Sequence, residues 1–136
     1  MIQVIAGKKG SGKTKRIIDL ANKASQESKH DIVFIDDDNR YMFDLRHEVR
    51  FINAGEYQLE NDKMFMGFLY GVVAQNFDVG LISIDAFKKL IKADLLSVDW
   101  LFTRLEDISE KHNVDFVLSI SEDPADLPPF IQKYVI

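Results

Sequence analysis

The chain has 136 residues, 46% of them apolar, and a formal net charge of −5. That length suits one domain with a packed core, so a single compact, soluble domain spanning 1–136 is expected, while the acidic balance gives no support for nucleic acid as ligand. No cysteine occurs, which excludes disulfides, thiolate metal sites and cysteine nucleophiles and agrees with a cytoplasmic location.

The opening residues Met1 to Gly7 carry no basic leader, so no signal peptide is expected. The longest apolar-rich run, Met64 to Ala74, is about half of the ~20 residues that cross a bilayer, so no membrane span is expected. Short apolar runs alternate with helical patterns along the whole chain. This alternation predicts a three-layer α/β/α fold on a mainly parallel sheet of about five strands.

In chain order, the first predicted strand is Ile2 to Ala6, followed by a glycine-rich turn and a helix from about Lys13 to Glu27. The stripe of that helix is Ile17, Ile18, Ala21 and Ala24. A second strand, Ile32 to Ile35, is a continuous apolar run, the mark of burial on both faces, and it ends in Asp36, Asp37 and Asp38. A weaker edge strand is placed at Val49 to Ile52. Residues Asp62 to Asn76 form a helix that is apolar on nearly every side, with Gly67 and Gly71 allowing close backbone packing. It is read either as a deeply buried helix or as an apolar patch for a partner.

The next strand, Val79 to Ile84, ends at Asp85 and leads into a short helical piece, Phe87 to Ile91. Ser97 is placed as the N-cap of a helix reaching about Lys111, with Val98, Leu101, Phe102, Leu105 and Ile108 as its stripe. Trp100 stands roughly 140° from the middle of that stripe, where it covers the preceding loop or anchors an interface. Phe116 to Ile120 is the last buried strand. A loop from Ser121 to Pro124 follows, and Pro128-Pro129 starts a short helix or an extended tail to Ile136.

Between the first strand and its helix, Gly7-Lys8-Lys9-Gly10-Ser11-Gly12-Lys13-Thr14 fits G-x-x-x-x-G-K-[ST] at every fixed position. A polyphosphate must lie against successive backbone N–H groups, which only a tightly curled chain aims inward. Gly7, Gly10 and Gly12 permit the curl because they lack a Cβ, and the helix N-terminus adds unpaired N–H groups and a positive dipole end. Lys8, Lys9, Lys13, Lys15 and Arg16 fall within nine residues of an otherwise acidic chain, a local charge suited to a small polyanion.

This segment closely resembles the Walker A motif of P-loop NTPases. The resemblance implies that Gly7 to Lys15 cradle a nucleoside triphosphate, that Lys13 bridges the β- and γ-phosphates, and that the Thr14 hydroxyl ligates magnesium. Leu81-Ile82-Ser83-Ile84-Asp85 resembles a Walker B strand, in which Asp85 supports the metal. Asp85 is followed by Ala86, so the glutamate that many ATPases place there is absent. The RecA-like branch instead has an acid at the end of the strand after the P-loop helix, the position of Asp36, Asp37 and Asp38, with Asp36 and Asp37 preferred as the base for the attacking water. The alternative for these acids is an Asx-rich turn.

The same branch implies that Phe116–Ile120 lies between the P-loop and Walker B strands, with Ser119 or Ser121 sensing the γ-phosphate. The sheet order would then be Ile2–Ala6, Phe116–Ile120, Val79–Ile84, Ile32–Ile35 and Val49–Ile52. Partition-type ATPases resemble the chain in a signature lysine at the offset of Lys8, which implies nucleotide-dependent dimerisation, although Lys9 stands where that family has glycine. No N-K-x-D motif is present, which favours ATP over GTP. The leading expectation is a magnesium-dependent ATP hydrolase, a P-loop protein that also uses self-assembly or a protein partner. The other readings are a nucleotide-gated interaction module with little turnover, and a small-molecule kinase. In the kinase reading, Asp38-Asn39-Arg40-Tyr41 is a substrate or trans-acting arginine element rather than a surface turn.

Overall fold

The computed structural model describes all of residues 1–136. Its five strands form a single all-parallel sheet: β1 (Ile2–Ala6), β2 (Asp31–Asp36), β3 (Arg50–Asn53), β4 (Val79–Ile84) and β5 (Asp115–Ile120). The spatial order is β1-β5-β4-β2-β3, the order expected from the resemblance. Parallel neighbours need crossover segments, here chiefly the helices α1 (Lys13–Glu27), α2 (Asp62–Gln75), α3 (Phe87–Ile91) and α4 (Asp99–His112), while the short α5 (Pro129–Gln132) follows the last strand.

Handedness decides which helix covers which face. The connections from β1 to β2 and from β2 to β3 run one way across the sheet, whereas those from β3 to β4 and from β4 to β5 run the other way. Right-handed crossovers therefore put them on opposite faces. The packing agrees. Ile17, Ile18 and Ala21 of α1, with Leu45 and Val49 from the β2–β3 connection, cover Ile5, Ile32, Phe34 and Val117 in a cluster of 9 buried residues. Helices α2, α3 and α4 cover Val4, Val33, Ile35, Ile82, Ile84, Phe116 and Leu118 in the main core of 29.

An edge-to-face chain of rings, Phe65–Phe87–Phe102, ties α2, α3 and α4 together at centroid separations of 5.9 and 5.8 Å. The tail returns to the sheet: Val4 N donates to Tyr134 O and Ile136 N donates to Val4 O, at 2.9 and 3.0 Å, so β1 is covered along its outer edge.

Several local expectations change. Helix α2 is not buried all round. Phe65, Met66, Leu69, Val72 and Val73 are buried, but Met64 and Tyr70 are 42% and 38% exposed. Gly67 and Gly71 do not mediate close packing, because a Cβ at either would meet nothing within 4 Å. Ser97 does not cap α4. It lies in a 3-10 turn capped by Asp94, its hydroxyl donates to Asp94 O at 2.7 Å, and α4 starts after Val98 without a side-chain cap. Trp100 is half-buried against the main core. The edge strand β3 begins one residue later than expected, because Val49 turns under α1 instead. No helix is long and apolar enough to cross a membrane.

Register places the functional ends together. Ala6 pairs with Ile120, Ile84 with Leu118, and Ile35 with Ile84. The residues just past these strands, Gly7, Ser121, Asp85 and Asp37, therefore share one rim of the sheet. This is the carboxyl end, where open α/β sheets bind ligands.

Candidate functional site

The loop from Gly7 to Gly12 leaves β1 with Gly7 N donating to Ile120 O at 3.3 Å. Its curl has two causes. Gly10 and Gly12 stand at φ of 84° and 85°, the left-handed region that side chains resist. At Gly7 the constraint is space, because a Cβ would overlap Ser11 Oγ. Helix α1 starts beyond Gly12 with no side-chain cap and no acid in its first turn, so its leading N–H groups face the loop without a protein acceptor side chain. The Lys13 ammonium arches back to donate to Lys8 O at 3.0 Å.

Across the rim, Thr14 Oγ1 donates to Asp85 Oδ2 at 3.1 Å, joining α1 to β4 over 71 positions of sequence. Asp85 is 6% exposed. Its other oxygen accepts from Ser119 Oγ of β5, and Ser119 Oγ accepts in turn from Ala86 N at 3.1 Å. Ala86 adopts φ 58° although it is not glycine. A backbone of this kind costs on the order of 1–2 kcal/mol and persists where its surroundings hold it.

Asp36 is 2% exposed. One oxygen accepts from Asp37 N at 2.7 Å and the other has no partner. Burial foremost, then the adjacent Asp37 carboxyl and the charge of Asp85, push the Asp36 carboxyl up to about 8. Asp37 faces Lys89 at 3.9 Å. Asp38 behaves differently from its neighbours. It accepts from Arg40 N at 2.9 Å and pairs with the Arg40 guanidinium at 3.3 Å, so it closes an Asx-type turn and does not line the cleft. Arg40 also lies 5.1 Å over the Tyr41 ring.

These segments enclose a cleft of about 610 Å³. Of the anticipated site residues, Lys9, Gly10, Gly12, Lys13, Thr14, Lys15, Asp36, Asp37 and Asp85 line it. Gly7 and Ser11 shape the loop from behind, and Lys8 contributes its carbonyl. Arg16 reaches away from the cleft to Ile136 O at 3.4 Å. The far wall adds Lys88 and Lys89 of α3, which sequence reasoning did not select. The available signal was their place in the short helix directly after Asp85. Lys88 pairs with Glu122 at 2.6 Å.

Six cations (Lys9, Lys13, Lys15, Arg40, Lys88 and Lys89) line the cleft beside three acids, one of them largely protonated at neutral pH. Lys15, Arg40 and Lys88 are paired with Asp19, Asp38 and Glu122, and Lys9 and Lys13 have no carboxylate partner. The cleft suits an anion despite the acidic chain. Its only apolar liners are Tyr41 and Ala86, so it is a polar cleft without an apolar slot. The Thr14 hydroxyl and the Asp85 carboxylate are hard oxygen donors of the kind that magnesium takes. No protein-family model matches the sequence, and no curated protein matches it.

Proposed function

We propose that this chain binds magnesium–ATP on the Gly7–Thr14 loop and hydrolyses it, as a minimal RecA-like P-loop ATPase. The observation that carries the reading is the Thr14–Asp85 contact at 3.1 Å. It brings a hydroxyl at the start of α1 and a carboxylate at the end of β4 to one point beside uncapped helix N–H groups. A strand intervening between β1 and β4 is the arrangement of that branch, and β5 occupies this place.

In this reading Lys13 exchanges its bond to Lys8 O for the β- and γ-phosphates, and the loop N–H groups hold the remaining charge. Thr14 and Asp85 would hold the metal, which neutralises charge on the phosphates. Asp36, or Asp37 beside it, takes the proton of the attacking water. A carboxyl raised to about 8 is a stronger base than an ordinary one when it does ionise. Ser121 is the free hydroxyl for the terminal phosphate, because Ser119 is engaged by Asp85 and Ala86.

Steady phosphate release from magnesium–ATP, abolished in a folded Lys13→Ala variant, is the expected result. The absence of any calorimetric heat from ATP, ADP or GTP would overturn the proposal. A second reading, a nucleotide-gated interaction module, is favoured by Ala86 in place of a glutamate after Asp85. It predicts tight ATP binding without release. Phosphate transfer to an added metabolite would point to a kinase instead, with Arg40 and Lys89 facing the acceptor.

A further inference from the structure

We infer that Ser119 is a positioning residue that fixes the Asp85 carboxylate for the magnesium-bound nucleotide, and that it is not the sensor of the γ-phosphate. The inference rests on the nucleotide reading above. Ser119 is 3% exposed, on β5 between the two strands that supply the loop and the acid. A serine hydroxyl has one proton to donate. Here that proton goes to Asp85 Oδ1, while the oxygen accepts from Ala86 N at 3.1 Å. Nothing is left on Ser119 to donate to a phosphate without giving up Asp85.

The consequence follows from counting the bonds on Asp85. Its oxygens are held by two hydroxyls, Ser119 from β5 and Thr14 from α1. Metal ligation by Thr14 would use an oxygen lone pair and leave its proton on Asp85, so Thr14 would hold one carboxylate oxygen and Ser119 the other against rotation. The same hydroxyl also accepts from the Ala86 peptide that starts α3. Groups that orient a metal-supporting residue typically change metal affinity by about 10- to 100-fold when removed.

The test is calorimetric titration of ATP and of ADP into the wild type, Ser119→Ala and Ser119→Thr, each with magnesium and with EDTA. Ser119→Ala should weaken binding at least about tenfold with magnesium, to the same degree for ATP and ADP, and leave binding in EDTA unchanged. Ser119→Thr, which keeps the hydroxyl, should recover most of the loss. Equal weakening with and without magnesium would show a merely structural role and overturn the inference. Weakening for ATP but not ADP would make Ser119 a γ-phosphate sensor and also overturn it. If the wild type itself gives no heat, the nucleotide reading fails, and this inference fails with it. The wild-type titration separates that outcome from the other two.

Discussion

Replacing Asp36 with Asn tests the most unusual electrostatic feature of the site. The folded chain raises this carboxyl from 3.8 to about 8, chiefly by burial. A group whose folded value is raised binds its proton more tightly in the native state. Its contribution to stability is therefore complete below the unfolded value and is lost as pH rises through the folded one. Each unit is worth about 1.36 kcal/mol, so between about pH 6 and pH 9 the wild type should lose roughly 3 kcal/mol through Asp36 alone.

Asn is nearly isosteric and its oxygen can still accept from Asp37 N, but it carries no ionisable proton. Urea unfolding of both proteins at several pH values measures the difference. The Asp36→Asn protein should be the more stable one by the widest margin above about pH 8, with the gap narrowing through pH 6 and closing only towards about pH 4. Parallel pH profiles for the two proteins would refute a raised carboxyl at this position. If Asp36 is also the base, the variant should bind ATP yet release phosphate at least about 100-fold more slowly.

Two further substitutions probe the frame of the site. Gly12→Ala adds a Cβ that meets nothing within 4 Å, so its cost is the backbone at φ 85° alone, about 1–2 kcal/mol. Thermal unfolding should show this modest loss, and no loss at all would contradict the left-handed conformation. Phe65→Ala empties a fully buried site edge-to-face with Phe87, at 5.9 Å, and should cost about 3–5 kcal/mol by urea unfolding. A cost under about 1 kcal/mol would show that α2 does not pack there as described.

Local features of the chain were legible before any coordinates. The continuous apolar run Ile32–Ile35 and the run Phe116–Ile120, broken only by Ser119, are strands buried on both faces, because only a sheet covered on both sides needs apolar residues in succession. The glycines of the loop could be assigned because a left-handed φ is a property of one residue. The strand order came from the resemblance and not from the pattern, since the periodicity of a strand does not say which strand lies beside it.

Short-range rules misjudged features that depend on neighbours. Ser97 has the chemistry of a cap, but the turn at Asp94 takes its hydroxyl. Gly67 and Gly71 have the spacing of a packing seam, but no element lies against them. Among three consecutive aspartates, only the fold separates a buried Asp36 from an Asp38 spent on Arg40. The Ser119–Asp85–Thr14 bonds join residues from three elements, which a linear reading places 34 and 71 positions apart. What the sequence alone determined is thus each segment's own backbone preference and its apolar face. What tertiary structure decided is which polar atoms meet, because a hydrogen bond depends on ångström-scale approach between segments that no local preference encodes.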